Sequence, residues 1–167
     1  MPPQPSDHRL KILPAKENDV GRILSFIKEL AEYERLPHEV VATEEILKET
    51  LFGARPFAEV LFALYDDQPV GYALFFHSFS TFLGRPGVYL EDLYVRPSMR
   101  GNGIGKALLA YLARLAVERK CGRLEWAVLN WNEPAIGFYE KLGARAMDEW
   151  TVYRLAGDAL KRLAEGP

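Results

Sequence analysis

The sequence is short of three things that would mark particular classes of protein. It has one cysteine, Cys121, in 167 residues. That excludes an intrachain disulfide and leads us to expect a cytoplasmic protein in a reducing compartment. It has no surplus of either charge, since 21 Lys and Arg stand against 23 Asp and Glu for a net charge of -2. A dedicated nucleic-acid binder carries a basic excess, so no such partner is expected. No run approaches the roughly 20 apolar residues of a membrane span. Residues 1–8 lack the apolar core of a secretory signal, so no membrane partner is expected either. His8, His38 and His77 are too scattered for metal-ligand spacing, and no metal is expected.

What is present is globular in composition, with 49% hydrophobic and 26% charged residues. Pro2, Pro3 and Pro5 oppose helix, so residues 1–8 read as a flexible arm and residues 9–167 as one domain. Residues 9–13 alternate like a strand and stop at Pro14. Asn18 or Asp19 opens a helix to about Glu34, with Val20, Ile23, Leu24, Ile27, Leu30 and Ala31 on its apolar face. Thr43 with Ile46 and Leu47 starts a shorter helix, with Glu45 and Glu49 on its solvent side, that breaks at residues 53–56. Residues 59–65 and 70–77 form a hairpin around 66–69. Residues 79–87 are expected to be a loop, 88–95 a strand, 104–120 an amphipathic helix and 124–129 a strand. Asn132 caps a helix that ends at Gly143. Residues 151–155 are expected to be a last strand before a short polar tail. The predicted order is β-α-α-β-β-β-α-β-α-β, a mixed α/β fold with a largely antiparallel central sheet flanked by helices.

The segment RPSMRGNGIGK, residues 96–106, lies between a predicted strand and a long helix. Close glycines bring several backbone N–H groups near a ligand, and the helix adds its positive end, so the segment suits a phosphate. A P-loop needs four residues between its glycines and a Ser or Thr after the lysine. Here Gly101 and Gly105 enclose three, and Ala107 follows Lys106. A dinucleotide fingerprint needs a third glycine where Lys106 stands. What remains is R-x-x-G-x-G, met by Arg100, Gly103 and Gly105, or a plain tight turn.

That pattern resembles the pyrophosphate loop of the Gcn5-related N-acetyltransferase (GNAT) superfamily, which binds acetyl-CoA. YLEDLYV at 89–95, WNEPAIGFY at 131–139 and ELAEYE at 29–34 are similar to segments of one branch. That branch comprises the spermidine/spermine N1-acetyltransferases and the thialysine N-epsilon-acetyltransferases. The similarity runs from residue 9 to 155. It implies a GNAT-like fold and cofactor contacts from Leu93, Tyr94, Val95, Arg100, Gly101, Asn102, Gly103, Ile104, Gly105, Lys106, Asn132 and Tyr139. The backbone of Leu93 and Val95 would hold the cofactor arm like an added strand. Trp126 would line the opposite side of a splay between strands.

Acetyl transfer to an amine needs a neutral nucleophile, although alkyl ammonium groups have a pKa of about 10.4. Glu91 is the candidate to assist deprotonation, as a base through water or as an electrostatic partner. An edge carboxylate paired with a basic neighbour is its plain alternative. Asp92 points to the opposite face by strand alternation unless the strand is bulged, and it is assigned to substrate charge. Tyr139 sits on an apolar helical stripe, and the resemblance makes it the general acid for the departing thiolate. Tyr33 and Glu34 match the family's substrate-binding pair. The expected activity is acetylation of a small cationic amine by direct transfer in a ternary complex. Ser80-Thr81-Phe82 resembles the thialysine-type members of the branch, and that resemblance implies thialysine, a lysine-like amine or a short diamine, with long polyamines as runner-up. A non-catalytic CoA-binding sensor and a nucleotide-binding module are the alternatives of other classes. The resemblance also implies a homodimer, with the aromatic loop and the last strand as candidate surfaces.

Overall fold

A computed structural model describes residues 8–166, so the expected arm lies, but for its last residue, outside the described residues. Strands β1 (Leu10–Pro14), β2 (Glu59–Tyr65), β3 (Gln68–Ser80), β4 (Arg85–Val95) and β5 (Leu124–Trp126) form one sheet in that order. The first four are antiparallel neighbours, and β5 runs parallel to β4. The helices are α1 (Val20–Tyr33), α2 (Glu44–Phe52), α3 (Ile104–Glu118), α4 (Glu133–Lys141) and α5 (Gly157–Glu165). The chain divides into two compact units, one ending at Ala127 and the other beginning at Val128. The first contains the whole sheet and α1–α3.

Local chemistry sets most element ends. Arg35 takes a left-handed φ of 63° after α1. The Leu36 amide then reaches back to Ala31 O and that of Arg35 to Glu32 O, which satisfies two orphan carbonyls and stops the helix at Glu34. Thr43 Oγ1 accepts from the Ile46 amide and caps α2. Asp66 and Asp67, both at positive φ (48° and 61°), form the two-residue loop between β2 and β3.

Period-two alternation then divides the core between the two sheet faces. On one face Val60, Phe62, Tyr72 and Tyr94 pack with Ile23, Phe26 and Leu30 of α1 and Leu47 and Leu51 of α2. Phe26 is the hub, 5.9 Å from Phe62, 5.3 Å from Tyr72 and 6.3 Å from Tyr94 between ring centroids. It is fully buried, although the sequence reading did not place it on the apolar face of α1. On the opposite face α3 packs across the sheet through buried Ile104, Leu108, Leu109 and Leu112.

Three expectations need correction. Residues 79–87 are not a loop: β3 and β4 run through them, with Ser80 opposite Arg85, leaving only 81–84 as the connection. Pro86 and Gly87 are poor strand residues, but cross-strand pairing overrides their local preference. The strand expected over 124–129 ends at Trp126. Residues 151–155 form no strand, and α5 occupies the expected polar tail. Alternating apolar residues favour an extended backbone, but a strand also needs a ladder, and 151–155 have none among the described residues. Asp158 in the first turn of α5 and Arg162 in the last complement the helix dipole.

Candidate functional site

The site is built around an irregularity in β4. Leu74 of β3 pairs with Asp92, yet the next residue, Phe75, pairs with Leu90. Glu91 is therefore an extra residue on β4, and the strand is bulged there. The bulge shifts the alternation, so Glu91 and Asp92 are not divided between opposite faces as in a regular strand. Asp92 joins the face of Leu74 and Tyr72, towards α1. Glu34, at the end of α1, feels both carboxylates. Burial pushes its carboxyl above the ordinary 4.5, and the negative charges of Asp92 and Glu91 push it further. Three expected residues, Glu34, Glu91 and Asp92, thus meet in one acidic cluster.

Asp92 has a partner the sequence did not suggest. The Tyr72 hydroxyl donates to Asp92 Oδ2 at 2.5 Å. Burial raises the Asp92 carboxyl, and this hydrogen bond opposes the rise. Burial and the neighbouring carboxylates push the Tyr72 phenol well above 10.0, so it remains a donor. No local motif announces the pair, because 20 positions separate its members.

Beyond the bulge, β4 leaves its outer neighbour. Pairing with β5 ends at Leu90 and Trp126. Arg96 donates its amide to Val70 O at 2.9 Å, on the β3 side. Amides alternate along a strand, so those of Leu93 and Val95 face the other edge, where the ladder has ended. Tyr94 differs from both. Its side chain is buried with Phe26, and its amide faces β3 by the same alternation.

The glycine loop follows directly. A short 3-10 turn over Pro97–Met99 leads into it. Gly101 (φ 80°) and Gly103 (φ 75°) are left-handed, and a Cβ at either would meet nothing within 4 Å. The space beside both glycines is open, next to the helix start whose first amides, at Ile104, Gly105 and Lys106, have no partner within the helix. Asn102 Nδ2 donates to Met99 O at 3.0 Å and braces the turn. Two arginines tie this region to α1. Arg96 makes a two-pronged pair with Glu29 (3.1 and 2.9 Å) and lies 4.9 Å above the Phe26 ring. Arg100 donates from Nε to Val95 O at 2.9 Å, and its guanidinium lies 4.5 Å from the Tyr33 ring centroid. Arg100 and Tyr33, assigned separately to cofactor and substrate, are therefore in contact.

The second unit carries the remaining candidates. Asn132 Oδ1 accepts from the Ala135 amide and caps α4, with Pro134 in the first turn. Tyr139 lies on α4 beside Phe138, ring centroids 5.5 Å apart, and Gly143 (φ 87°) ends the turn. Among the described residues, no group of three or more His, Cys, Asp or Glu could hold a metal ion. No helix among them is long and apolar enough to cross a membrane.

Comparison with known proteins places this sequence and fold in a family. Residues 23–144 match the model of the acetyltransferase (GNAT) family. The chain belongs to that family. A thialysine N-epsilon-acetyltransferase from Bos taurus is 44% identical, over 90% of this chain and 94% of its own. An L-ornithine N5-acetyltransferase from Arabidopsis thaliana is 34% identical, over 95% of this chain and 90% of its own. An integron cassette protein from the mobile metagenome of V. cholerae superposes with a TM-score of 0.80 at 28% identity, covering 95% of this chain and 99% of that one. This GNAT protein is an N-acetyltransferase that acts on a small amine. GNAT acetyltransferases generally use acetyl-CoA.

The raised carboxyl of Glu34 carries a signed consequence. Its protonated form is favoured in the folded GNAT domain, so its contribution to stability is full below 4.5 and is lost as pH rises through the folded value. Glu34→Gln mimics the protonated form. Thermal melts of the variant and the parent should nearly coincide in acid, with the variant increasingly the more stable as pH rises towards 7. A gap that stays constant across that range would contradict the clustering of the three carboxylates.

Proposed function

We propose that this N-acetyltransferase uses acetyl-CoA to acetylate a cationic amine of the size of thialysine, lysine or a short diamine. The cluster of Glu34, Glu91 and Asp92 carries this reading. Three carboxylates brought together repel one another, and an ammonium group relieves that repulsion. The names of the relatives favour the same class of substrate. Long polyamines are the runner-up.

The residues present fit the cofactor. The amides at the start of α3 and the open space before Gly101 and Gly103 suit a pyrophosphate, with Lys106 adding charge. The outward amides of Leu93 and Val95 suit the pantetheine arm, with Trp126 across the splay and Asn132 as a further contact. Bound acetyl-CoA supplies an activated acyl carbonyl and a thiolate leaving group. Glu91 draws the proton from the ammonium nitrogen, so that its lone pair can form the new C–N bond. Asp92 and Glu34 hold the charged end of the amine, beside Tyr33. Tyr139 Oη gives its proton to the departing sulfur.

A homodimer completes the proposal. On the first unit Phe82 is fully exposed at the β3–β4 turn, and on the second Trp150, Val152 and Tyr153 are exposed, each an apolar feature suited to a second copy. Light scattering on the eluted protein should give the mass of two chains, and the mass of one would reject the dimer.

Acetyl-CoA consumption across thialysine, lysine, ornithine, diamines and spermidine tests the activity. Turnover should be strongest with the short amines. Titration calorimetry that showed ATP binding without acetyl-CoA binding would overturn the whole reading. For Tyr139→Phe, kcat should fall about a hundredfold, the lower range for general acid catalysis because a thiolate is already a fair leaving group. Its acetyl-CoA affinity should change little. An unaltered kcat would remove the general acid role.

A further inference from the structure

The acidic cluster has one member whose orientation is fixed from beneath. Tyr72 is fully buried in β3, its ring stacked on Phe26 at 5.3 Å and 16° between planes. It stands opposite Tyr94 in the β3–β4 ladder, two residues before Leu74, the cross-strand partner of Asp92. The ring is fully buried and stacked on Phe26, so its hydroxyl has little freedom. That hydroxyl reaches out of the core to Asp92 Oδ2. A phenol wedged by packing and donating to a partly buried carboxylate is a rigid support, because the donor cannot follow if the acceptor turns away.

We propose that Tyr72 is a positioning residue for amine recognition: its hydroxyl fixes the Asp92 carboxylate so that the second oxygen is presented to the substrate ammonium. The proposal rests on the reading of the acidic cluster as the amine site. The bulge at Glu91 brings Asp92 to this face, and Tyr72 decides how it is held there.

The charged groups around Asp92 give the proposal a pH signature. Tyr72 faces it from β3, Glu34 from the end of α1, and Glu91 precedes it on β4. Burial disfavours its ionised form, while the tyrosine hydrogen bond favours it. Losing the hydroxyl therefore moves the Asp92 titration upward, and amine binding fails at a higher pH than in the parent.

Tyr72→Phe keeps the ring and removes only the hydroxyl. The KM for the preferred amine should rise about tenfold near neutral pH, the scale of a hydrogen bond to a charged group. kcat should change much less, and acetyl-CoA affinity should be unchanged. The acid limb of kcat/KM should shift to higher pH. Carbon NMR titration of Asp92 in protein without substrate should show the same upward shift, a readout that lost packing alone would not produce. In an Asp92→Asn background, Tyr72→Phe should add no further loss. Should the parent protein acetylate none of the amines, the proposed function fails, whatever Tyr72 does. Should the parent turn over amines while Tyr72→Phe leaves KM, the acid limb and the Asp92 titration unmoved, the role of Tyr72 alone is overturned. Misfolding of the phenylalanine variant leaves the Asp92→Asn comparison: a KM raised less than about threefold there would also overturn it.

Discussion

The one-residue bulge at Glu91 is the constraint on which the site depends. A regular strand would send Glu91 and Asp92 to opposite faces. The inserted residue shifts the alternation between Leu90 and Asp92, so that Leu90 still packs opposite Phe75 while Asp92 joins the face of Tyr72. Pairing with β5 also stops at Leu90, so one irregularity coincides with both the acidic cluster and the opened edge of the strand. Bulges raise local twist and interrupt a ladder, which is why they suit positions where a sheet must admit a ligand.

The rest of the first unit keeps that strand in place relative to α1. The aromatic group around Phe26 joins α1 to β2, β3 and β4 from within. Arg96 and Arg100 then span from the end of β4 to Glu29 and Tyr33 on α1. Partly exposed ion pairs add little stability singly. Their value here is geometric, because they fix the start of the glycine loop against the helix that ends in Glu34. Charge is thereby sorted along a short path, with open backbone amides at the loop and three carboxylates beyond it. The balanced total of 21 basic and 23 acidic residues concealed this separation.

Much of this was legible in the chain. The caps at Thr43 and Asn132, the loop at Asp66–Asp67 and the left-handed glycines before α3 are local devices, each contained within a few residues. The candidate acids Glu34, Glu91 and Asp92 were identified from their segments, and the structure brings them together. Phe26 escapes because it lies one position off the simple apolar stripe of α1. Tyr72 escaped because its partner lies in the next strand, and a lone tyrosine in an apolar strand reads as packing.

The strand expected over 151–155 shows the same division from the other side. Its alternation is a property of the sequence, and the segment could be read as a strand from it. A strand exists only when another backbone supplies its hydrogen bonds, and that depends on where remote residues lie. The sequence by itself determined the local turns, the helix ends, the anion-suited glycine loop and the types of residue available for chemistry. Only the tertiary structure decided the bulge, the Tyr72–Asp92 pair and the meeting of three carboxylates. Each of these depends on strand register and on groups far apart in the chain, which no local pattern encodes.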